Sequence, residues 1–492
     1  MRFLRTRRHG PHYKWWVLSC TSLGMLLATV NSGTLIIALP DLERSLHTTL
    51  LQLVWVILVY MIVSTVLVLT AGRLSDLFGR KHAYVLGFLV FSAASLGAGF
   101  SGSGTTLILW RVLQGIGGAF LFANAAALVT DAFPRRELGL AMGTNTMVAA
   151  VGLVAGPVLG GALVAIAWPW VFWFNVPIGL AGCAWGLLVL EERSGRSSER
   201  GLDLLGVTTY VVGLTGLVLA LSKGGLSGWS NALVIGGLVA AAVLLPLFVL
   251  IERRSTSPML DLSLFHNRLF SAASAAAFTN GLARFALMFL FVFYFQGPQG
   301  ASPIMAGVKL APMAIGMLIA SPLAGIASDR RGSRGLAALG MVVTAVGLAG
   351  MTMLQADTPY VWSALWLALV GIGSGMFNSP NTAAMMGAVP MHRRGIAAGA
   401  RVMLQNTGAV ISIAFVMAVV TSAVPKDVLF KIFSGLTSGL SAEQLQPFIT
   451  NMHLALWVLA GVSLLGAGIS LLRPAHVRVA PSTAFELQEE AA

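Results

Sequence analysis

The stretch GIGGAFLFANAAALVTDAFPRRELGLAMG, residues 115–143, is repeated later in the chain as GIGSGMFNSPNTAAMMGAVPMHRRGIAAG, residues 371–399. A shift of 256 residues (371 − 115) places Gly115, Gly117, Pro134, Gly139, Gly143 and Gly152 on Gly371, Gly373, Pro390, Gly395, Gly399 and Gly408. A second pair, GRLSDLFGRK at 72–81 and GIASDRRGSR at 325–334, matches with a shift of 253 (325 − 72). The chain therefore carries two copies of one pattern.

The composition predicts that this repeated pattern lies in a membrane. Of 492 residues, 57% are hydrophobic and only 10% are charged, and the mean hydropathy is +0.83. Long segments have no Lys, Arg, Asp or Glu: 15–40, 45–72, 82–110 and 138–190. About 20 apolar residues span a bilayer as a helix, and lipid leaves no partner for an exposed backbone group. We therefore expect an all-α integral membrane protein, because the short alternating segments of a β-barrel are not present.

The apolar runs predict fourteen membrane helices. They lie near 15–39, 50–71, 82–100, 105–129, 140–165, 170–190, 204–222, 231–251, 269–296, 303–327, 336–355, 360–386, 396–421 and 452–472. Of the 31 Lys and Arg residues, 23 fall in the two tails and in every second loop. Because cytoplasmic loops carry an excess of Lys and Arg, this bias predicts that both tails are cytoplasmic. It also accounts for the net charge of +13.

The repeat divides the chain into two halves with an insertion between them. Helices 1–6 correspond to helices 9–14, and helices 7 and 8 have no counterpart. We predict a cytoplasmic N-tail at 1–14, a six-helix half at 15–190, a linker with two inserted helices at 191–268, a second six-helix half at 269–472 and a cytoplasmic C-tail at 473–492. Repeats that enclose a central site are typical of transporters that rock one half against the other.

Several other classes of protein are excluded by the same sequence. Nucleic-acid binding needs a basic face on a soluble domain, and no segment is long enough for such a domain. Cys20 and Cys183 fall within predicted helices, so no disulfide framework is expected. The basic N-tail precedes an apolar run too long for a cleaved signal sequence. No metal-ligand cluster or nucleophile–base spacing indicates an enzyme, and GIGGAF lacks the preceding strand of a dinucleotide site.

Five motifs together resemble the major facilitator superfamily, and within it the fourteen-helix drug:proton antiporters. They are the charged loop at 72–81, RVLQGIGGA from Arg111, GLVAGPVLGG at 152–161, WPWVFWFNVPIG from Trp168 and YFQGPQGASPIMAGVKLAP from Tyr294. The resemblance covers almost the whole chain. It implies the major facilitator fold, a location in the plasma membrane, a monomer, and drug export driven by the proton gradient without another cofactor.

The charged loop contains Gly72, Asp76, Gly79, Arg80 and Lys81. Its two glycines permit a tight turn, and the start of a neighbouring helix offers free N–H groups to a carboxylate. The resemblance implies that Asp76 docks on the first turn of helix 396–421 and that Arg80 pairs with Asp131. Asp329 would repeat the Asp76 contact in the second half. Such contacts would form a conformational latch; the alternative is a solvated loop that obeys the charge bias.

The segment GLVAGPVLGG places Gly152, Gly156 and Gly160 four residues apart, followed by Gly161. Small residues at this spacing allow another helix to approach closely, and Pro157 removes a backbone hydrogen bond and favours a kink. The resemblance associates this motif with exporters. An ordinary packing seam is the alternative.

The charges inside the predicted helices are all basic. Arg111, which the resemblance links to proton coupling, shares a helix face with Gln114, although it could instead extend to the membrane surface. Arg284 lies near the middle of its helix, where an arginine without a partner costs about 2.5–3.5 kcal/mol on insertion scales. It should face a polar cavity or an anionic ligand, or else be satisfied by neighbouring carbonyls and water. Arg401 lies near the inner end of its helix.

Asn31 departs from the family pattern, in which an acid usually occupies this position. With no Asp or Glu near the middle of any predicted helix, neither cation binding nor proton coupling has an obvious carboxylate. We predict that the cavity and the coupling site are lined by polar side chains, which could otherwise join helices to one another. They are Asn31, Arg111, Gln114, Asn280, Arg284, Asn378 and Gln405, with Asn381, Asn406 and Arg401 as further candidates.

These features favour a secondary transporter that exports lipophilic small molecules by alternating access, with proton antiport implied by the resemblance. A transporter of anionic or lipid-like substrates with a basic cavity around Arg284 is the alternative. A membrane scaffold or receptor without transport is a more distant one, since it would have no use for a preserved latch. The expected partners are the substrate, protons and the lipid bilayer.

Overall fold

The computed structural model describes residues 12–134, 137–192, 203–255, 258, 260–390, 393–425, 428, 431 and 441–474. All regular secondary structure in these ranges is helical. The α-helices are α1 (Tyr13–Leu46), α2 (Leu50–Phe78), α3 (Arg80–Ala98), α4 (Gly104–Ala132), α5 (Leu138–Ile166), α6 (Trp170–Trp173), α7 (Asn175–Val189), α8 (Leu204–Ser227), α9 (Ala232–Arg254), α10 (Arg268–Gln296), α11 (Pro303–Lys309), α12 (Ala311–Arg331), α13 (Ser333–Met351), α14 (Tyr360–Gly387), α15 (Arg394–Ala423) and α16 (Ala442–Leu471).

The predicted membrane bundle is confirmed, whereas the number of spans is confirmed only in part. Within the described residues, twelve helices are long and apolar enough to cross a membrane, or thirteen if α1, which bends by 44°, counts as one span. The predicted span 140–165 corresponds to the 29-residue helix α5, several of whose side chains lie outside the described residues. A total of fourteen spans therefore stays a prediction.

Several helix boundaries differ from the predicted ones. Helix α16 begins at Ala442, ten residues before the predicted start at 452, because Ser441 and Gln444 form a capping box. The predicted span 303–327 is divided into α11 and α12, with Pro312 in the first turn of α12, where a proline has no N–H to continue the preceding helix. The predicted span 170–190 is divided at Phe174. The predicted C-tail includes Arg473, yet this residue is buried.

Corresponding glycines make corresponding contacts in the two halves. A Cβ on Gly115 would lie 2.9 Å from Val63 of α2, and one on Gly371 would lie 1.8 Å from the Met313 carbonyl oxygen of α12. Likewise, Gly117 packs against α3 and Gly373 against α13. Since α12 and α13 are the counterparts of α2 and α3, the sequence repeat corresponds to repeated helix packing.

The halves also meet through corresponding glycines. Gly143 of α5 approaches Ser321 of α12, with an added Cβ 3.0 Å from the Ser321 carbonyl oxygen. Gly399 of α15 approaches Leu69 of α2, with an added Cβ 3.0 Å from Leu69 Cδ2. Each contact joins the fifth long helix of one half to the second long helix of the other. The interface between the halves is thus built from the repeated segment itself.

The two inserted helices, α8 and α9, lie beside this interface. A Cβ on Gly237 of α9 would be 2.5 Å from the Gly216 carbonyl oxygen of α8, so the two helices are in close contact. Helix α8 also packs against α2 and α15, and the Tyr210 hydroxyl shares a hydrogen bond with the Thr407 hydroxyl of α15. The large side chains on the outer face of α9 are exposed and apolar, as a lipid-facing surface requires.

Candidate functional site

A cavity of about 1160 Å³, including space open to solvent, lies between the two halves. Helices α1, α2, α4 and α5 line it with Met25, Ala28, Thr29, Ser32, Tyr60, Met61, Ser64, Phe122, Ala125, Ala126, Met142, Asn145 and Ala149. Helices α10, α12, α14 and α15 line it with Arg284, Phe285, Met317, Asn378, Thr382, Arg401, Val402, Gln405 and Asn406. We call these two sets the N-wall and the C-wall.

The two walls differ in polarity. The N-wall consists of apolar and small uncharged side chains, with the hydroxyl of Tyr60 and the amide of Asn145 among its polar groups. The C-wall carries two arginines, Arg284 and Arg401, and the amides of Asn378, Gln405 and Asn406. No carboxylate occurs among the described residues that line the cavity. The cavity is therefore a largely apolar space with positive charge on one side.

Arg284 borders this cavity, and its guanidinium group has no hydrogen-bond partner among the described residues. Its residue surface is only 5% exposed, and its guanidinium carbon lies 4.2 Å from the ring centre of Phe285. Within the described residues it makes no hydrogen bond, and its Nε is enclosed without a partner. Among the described residues, no carbonyl accepts a hydrogen bond from Arg284. This arrangement favours the alternative in which Arg284 faces a polar cavity or an anionic ligand.

Arg401 belongs instead to a chain of hydrogen bonds on the C-wall. Its Nη1 donates to Gln405 Oε1 at 2.9 Å, and Gln405 Nε2 donates to Asn378 Oδ1 at 2.9 Å. Asn378 Nδ2 then donates to the Ser374 carbonyl at 3.0 Å. These bonds fix the two amides that were predicted to line the cavity, because each is both donor and acceptor.

A second polar network lies inside the first half. Arg111 is 1% exposed, its Nε donates to the Val56 carbonyl at 3.0 Å, and its Nη1 donates to Gln114. Gln114 Nε2 donates to Asn31 Oδ1 at 3.1 Å and to Ser95 at 2.7 Å. Arg111 therefore does not extend to the membrane surface, and its face is shared with Gln114 as predicted.

Two residues of this network were missed by sequence reasoning. Asn175 Nδ2 donates to Asn31 Oδ1 at 3.3 Å, and it lies in the motif WPWVFWFNVPIG, which could have indicated it. The ring of Tyr60 lies 4.4 Å from the guanidinium carbon of Arg111, at a distance typical of a cation–π contact. Because Tyr60 is also a residue of the N-wall, it connects the network to the cavity.

Besides Arg111 and Gln114, three predicted asparagines are not among the residues that line the cavity. Asn31 is held in the network of the first half and is not among the lining residues. Asn280 is fully buried, and its amide contacts Met341 Sδ of α13 at 3.6 Å. Asn381 accepts a hydrogen bond from Arg473. Each of the three is a polar residue within a helix, but it lies on a face of that helix that packs against another helix.

Arg473 joins the end of α16 to α14, another helix of the second half. Its Nη2 donates to Asn381 Oδ1 and to Ser470 Oγ, the latter at 3.3 Å. Burial lowers the pKa of Arg473 to about 10, so the side chain is still protonated at neutral pH. A residue predicted to start a solvated tail is thus part of the folded bundle.

The loop motif forms an ion-pair cluster at one end of the bundle, which we call the charged end. Arg80 pairs with Asp131, the partner that the resemblance implied. Glu192, which was not predicted, accepts from the backbone N–H groups of Arg80 at 3.1 Å and Lys81 at 3.2 Å. A carboxylate at the start of α3 satisfies free N–H groups and opposes the positive end of the helix.

The backbone conformation of this turn favours glycine at position 79. Its φ of 103° is unfavourable for other residues, whereas the nearest contact of an added Cβ, 2.2 Å from Glu192 Oε2, is with the end of a side chain that can move. Its counterpart Gly332, between α12 and α13, has a φ of 85°. The two copies of the motif therefore form the same kind of turn. Gly72 is buried one helical turn before Asp76, whose side chain lies outside the described residues, and Asp329 is exposed at the end of α12.

The glycines of α5 form the predicted groove. An added Cβ would lie 2.0 Å from Thr29 Oγ1 at Gly152 and 2.8 Å from Gly33 Cα at Gly156. Gly160 approaches the Thr34 carbonyl in the same way, so α1 is the helix that fills the groove. The side chain of Pro157 lies outside the described residues.

Gly161 faces the other half, at the end of α5 remote from the charged end. An added Cβ there would lie 2.3 Å from Ile304 Cγ1 of α11. Gly143 and Gly161 are 18 residues apart, which is about 27 Å along a helix. The halves therefore touch near both ends of α5, and the cavity lies between these contacts.

Comparison with known proteins places this architecture in a family. The sequence profile of the Major Facilitator Superfamily matches residues 21–413. The tetracenomycin C resistance and export protein of Streptomyces glaucescens is 31% identical over 386 residues, which cover 78% of this chain and 72% of that protein. The multidrug resistance protein Stp of Mycobacterium tuberculosis is 33% identical over 385 residues, which cover 78% of this chain and 71% of that protein.

Two further similarities extend this comparison. The riboflavin transporter RibZ of Clostridioides difficile is 29% identical over 403 residues, covering 82% of this chain and 87% of that protein. The crystal structure of the human organic anion transporter MFSD10 superposes with a TM-score of 0.63 at 14% identity, over 94% of this chain and 100% of that chain. The profile match, the two-half bundle and these relatives lead to one conclusion: the chain belongs to the major facilitator superfamily of membrane transporters.

Proposed function

We propose that this protein exports lipophilic small molecules across the plasma membrane by alternating access. The observation that carries the proposal is the cavity between two repeated halves, which touch each other on either side of it through Gly143 and Gly161. If one contact opens while the other stays closed, the cavity faces one side of the membrane at a time. Relatives named for drug resistance and export support the direction of transport.

Several finer features belong to the same proposal. The chain is a monomer of fourteen spans with both termini cytoplasmic, as in the fourteen-helix drug:proton antiporters that its motifs resemble. The cluster of Arg80, Asp131 and Glu192 acts with Asp76 as a latch at the charged end. Opening of that end separates α2 of the first half from α15 of the second, with which it packs, and so breaks the contact of Asp76. The pair of Arg80 with Asp131 and the contacts of Glu192 lie on the first-half side and hold the turn that follows Asp76.

Proton antiport is the proposed source of energy, and the network around Arg111 is the proposed coupling site. Support comes from its position: Arg111 is buried and bonded through Gln114 to Asn31, while Tyr60 joins it to the cavity. A change in the charge or hydration of the cavity can thereby reach the network without a carboxylate in the middle of a helix.

Transport measurements in inside-out membrane vesicles test these proposals. With the interior acidified, we expect uptake of lipophilic compounds together with release of protons. Vesicles from cells that lack the protein, and vesicles with Asp76→Asn, are the controls. Equal uptake by vesicles that lack the protein would contradict export. Equal uptake by vesicles with Asp76→Asn would contradict the latch. Uptake without proton release would contradict antiport alone.

A second candidate function is the transport of anionic or lipid-like substrates with a different coupling mode. Arg284 favours it, because a buried arginine on the cavity wall that has no hydrogen-bond partner among the described residues is suited to a negative group. In the vesicle experiment, this candidate requires that anionic compounds be taken up in preference to cationic ones.

A further inference from the structure

We propose that the cavity binds amphiphilic organic anions in one orientation, with the anionic group on Arg284 and the apolar body against the N-wall. The inference rests on the proposed export function and names the substrate class of the same cavity. The second candidate function requires only a basic cavity. The present inference assigns the anionic group to Arg284, and not to Arg401, and the apolar body to the opposite half.

The assignment to Arg284 follows from a comparison of the hydrogen bonds made by the two arginines of the C-wall. Both arginines have an enclosed Nε without a partner among the described residues. Arg401, however, already donates through Nη1 to Gln405 Oε1, and it is less buried than Arg284. Arg284 is 5% exposed and makes no hydrogen bond within the described residues. A guanidinium group presents its N–H donors in a fork that matches a carboxylate. A carboxylate of a ligand would therefore supply the acceptors that the protein does not provide.

Electrostatics make the cavity unfavourable for cations. The two arginines lie on the same wall, and the described lining residues include no carboxylate to offset them. At low dielectric, a ligand cation would be repelled by both groups, whereas an anion offsets their mutual repulsion. Charge discrimination is therefore expected to favour anions over neutral compounds, and neutral compounds over cations.

The orientation follows from the opposite wall. Across the cavity from the arginines, the first half contributes Met25, Met61, Phe122, Met142 and several alanines. Methionine and phenylalanine side chains pack against flat apolar bodies without requiring a fixed shape. An aromatic or alicyclic body attached to a carboxylate fits both walls at once, since it places its charge on one half and its apolar surface on the other.

The experiment uses three ligands with the same fluorescent body: 1-pyrenebutyrate, 1-pyrenebutanol and 1-pyrenebutylamine. Binding to the purified full-length protein in detergent is followed by fluorescence anisotropy. We expect the anion to bind at least about tenfold more tightly than the alcohol, and the amine to bind most weakly. Arg284→Gln should lower the affinity for the anion about tenfold or more and leave that for the alcohol within about twofold.

Two other variants make the result specific. Arg284→Lys keeps the charge but not the fork, so it should retain part of the preference for the anion. Arg393→Gln removes one positive charge at an exposed position outside the lining residues, and it should leave all three affinities unchanged. If Arg284→Gln does not yield folded protein, Arg284→Lys supplies the comparison, because loss of the fork alone should weaken binding of the anion but not of the alcohol.

A soluble carboxylate and the headgroup of an anionic lipid share this chemistry, and competition separates them. Displacement of 1-pyrenebutyrate by 2-naphthoate assigns the site to small carboxylates, whereas displacement by micellar phosphatidylglycerol assigns it to a lipid. If neither compound displaces 1-pyrenebutyrate, the proposed site is wrong. It is also wrong if the anion and the alcohol bind with equal affinity, or if Arg284→Gln keeps the wild-type preference for the anion.

Transport separates this inference from the proposed function. If proteoliposomes export the alcohol and the amine but not the anion, the substrate class is wrong and export stands. If the anion binds through Arg284 but none of the three ligands is transported, the site stands and export is wrong.

Discussion

At the residue scale, two buried arginines have opposite surroundings. Arg111 is enclosed by acceptors and an aromatic ring: the Val56 carbonyl, Gln114 and Tyr60. Arg284 has no acceptor within the described residues and borders the cavity. Burial of a charged group requires compensation. The fold supplies acceptors for Arg111, whereas Arg284 has the ring of Phe285 beside it and no acceptor among the described residues, which is why we propose it as the ligand site.

The network around Arg111 predicts how substitutions at Asn31 will behave. Asn31→Leu removes the acceptor shared by Gln114 and Asn175, and we expect a loss of about 1 kcal/mol, within the range of hydrogen bonds between membrane helices. Asn31→Asp keeps that acceptor and removes the amide Nδ2, which has no partner among the described residues. Its carboxylate would join the network of the positively charged Arg111, which offsets the cost of burying it, so this variant should cost less. Thermal unfolding in detergent compares the two variants.

The same position has a consequence for selectivity. Asn31 is not a lining residue, so Asn31→Asp should leave the preference among anionic, neutral and cationic ligands as in the wild type. A gain in binding of cations by this variant would place Asn31 in the cavity and contradict the arrangement described above.

The ion pair at the charged end gives a second prediction. The Arg80 side chain is 6% exposed and that of Asp131 is 18% exposed. Asp131→Asn should therefore cost about 1–3 kcal/mol, between the values for an exposed pair and a fully buried one. The double variant Arg80→Asp with Asp131→Arg should recover part of this stability and of transport. A double variant no better than the single one would indicate that the pair itself is unimportant.

At the element scale, glycines determine which helices come into close contact. The glycines of α5 allow α1 to pack closely against it, and Gly117 and Gly373 do the same for the third long helix of each half. Gly216 and Gly237 bring the two inserted helices into contact. Between membrane helices, where lipid is as apolar as the side chains, such close packing replaces the hydrophobic effect as the source of association.

Alanine substitution at two glycines tests this role. In Gly156→Ala, the new Cβ would lie 2.8 Å from Gly33 Cα, so α1 and α5 must separate, and we expect a lower unfolding temperature and reduced transport. Gly236→Ala is the matched control, because an added Cβ there meets nothing within 4 Å. It should be neutral or stabilising by up to about 1 kcal/mol through helix propensity. Equal effects at both positions would contradict the packing argument.

At the scale of the whole molecule, contacts between the halves on either side of the cavity are the ones that the proposed alternating access must open. Near the charged end, the counterpart glycines Gly143 and Gly399 each contact the second long helix of the opposite half. Remote from it, Gly161 contacts Ile304. Alternating access requires these two sets of contacts to open at different times.

A disulfide across the remote contact tests that requirement. An added Cβ on Gly161 would lie 3.3 Å from Ile304 Cβ, close to the separation of about 3.8 Å typical of disulfides. In Gly161→Cys with Ile304→Cys, oxidation should abolish transport, and a reductant should restore it. Both native cysteines are buried, and each single variant is a control for oxidation. Full transport by the cross-linked protein would contradict opening at this end.

The sequence by itself determined the membrane class, the duplicated pattern and the helices that carry the buried charges. It could do so because hydropathy and charge are properties of each segment. In addition, glycines needed for close helix packing occur at corresponding positions in both copies of the repeat. It also indicated that Arg111 and Gln114 share a face, since helical periodicity fixes neighbours three residues apart.

Only the tertiary structure decided which neighbour each face meets. Helical periodicity groups Asn280 with Arg284, yet one contacts Met341 and the other borders the cavity. The rotation of each helix about its axis is set by close packing against several partners at once, which no single segment encodes. For the same reason, the loop residue Glu192 became the cap of α3, and Arg473 became part of the bundle.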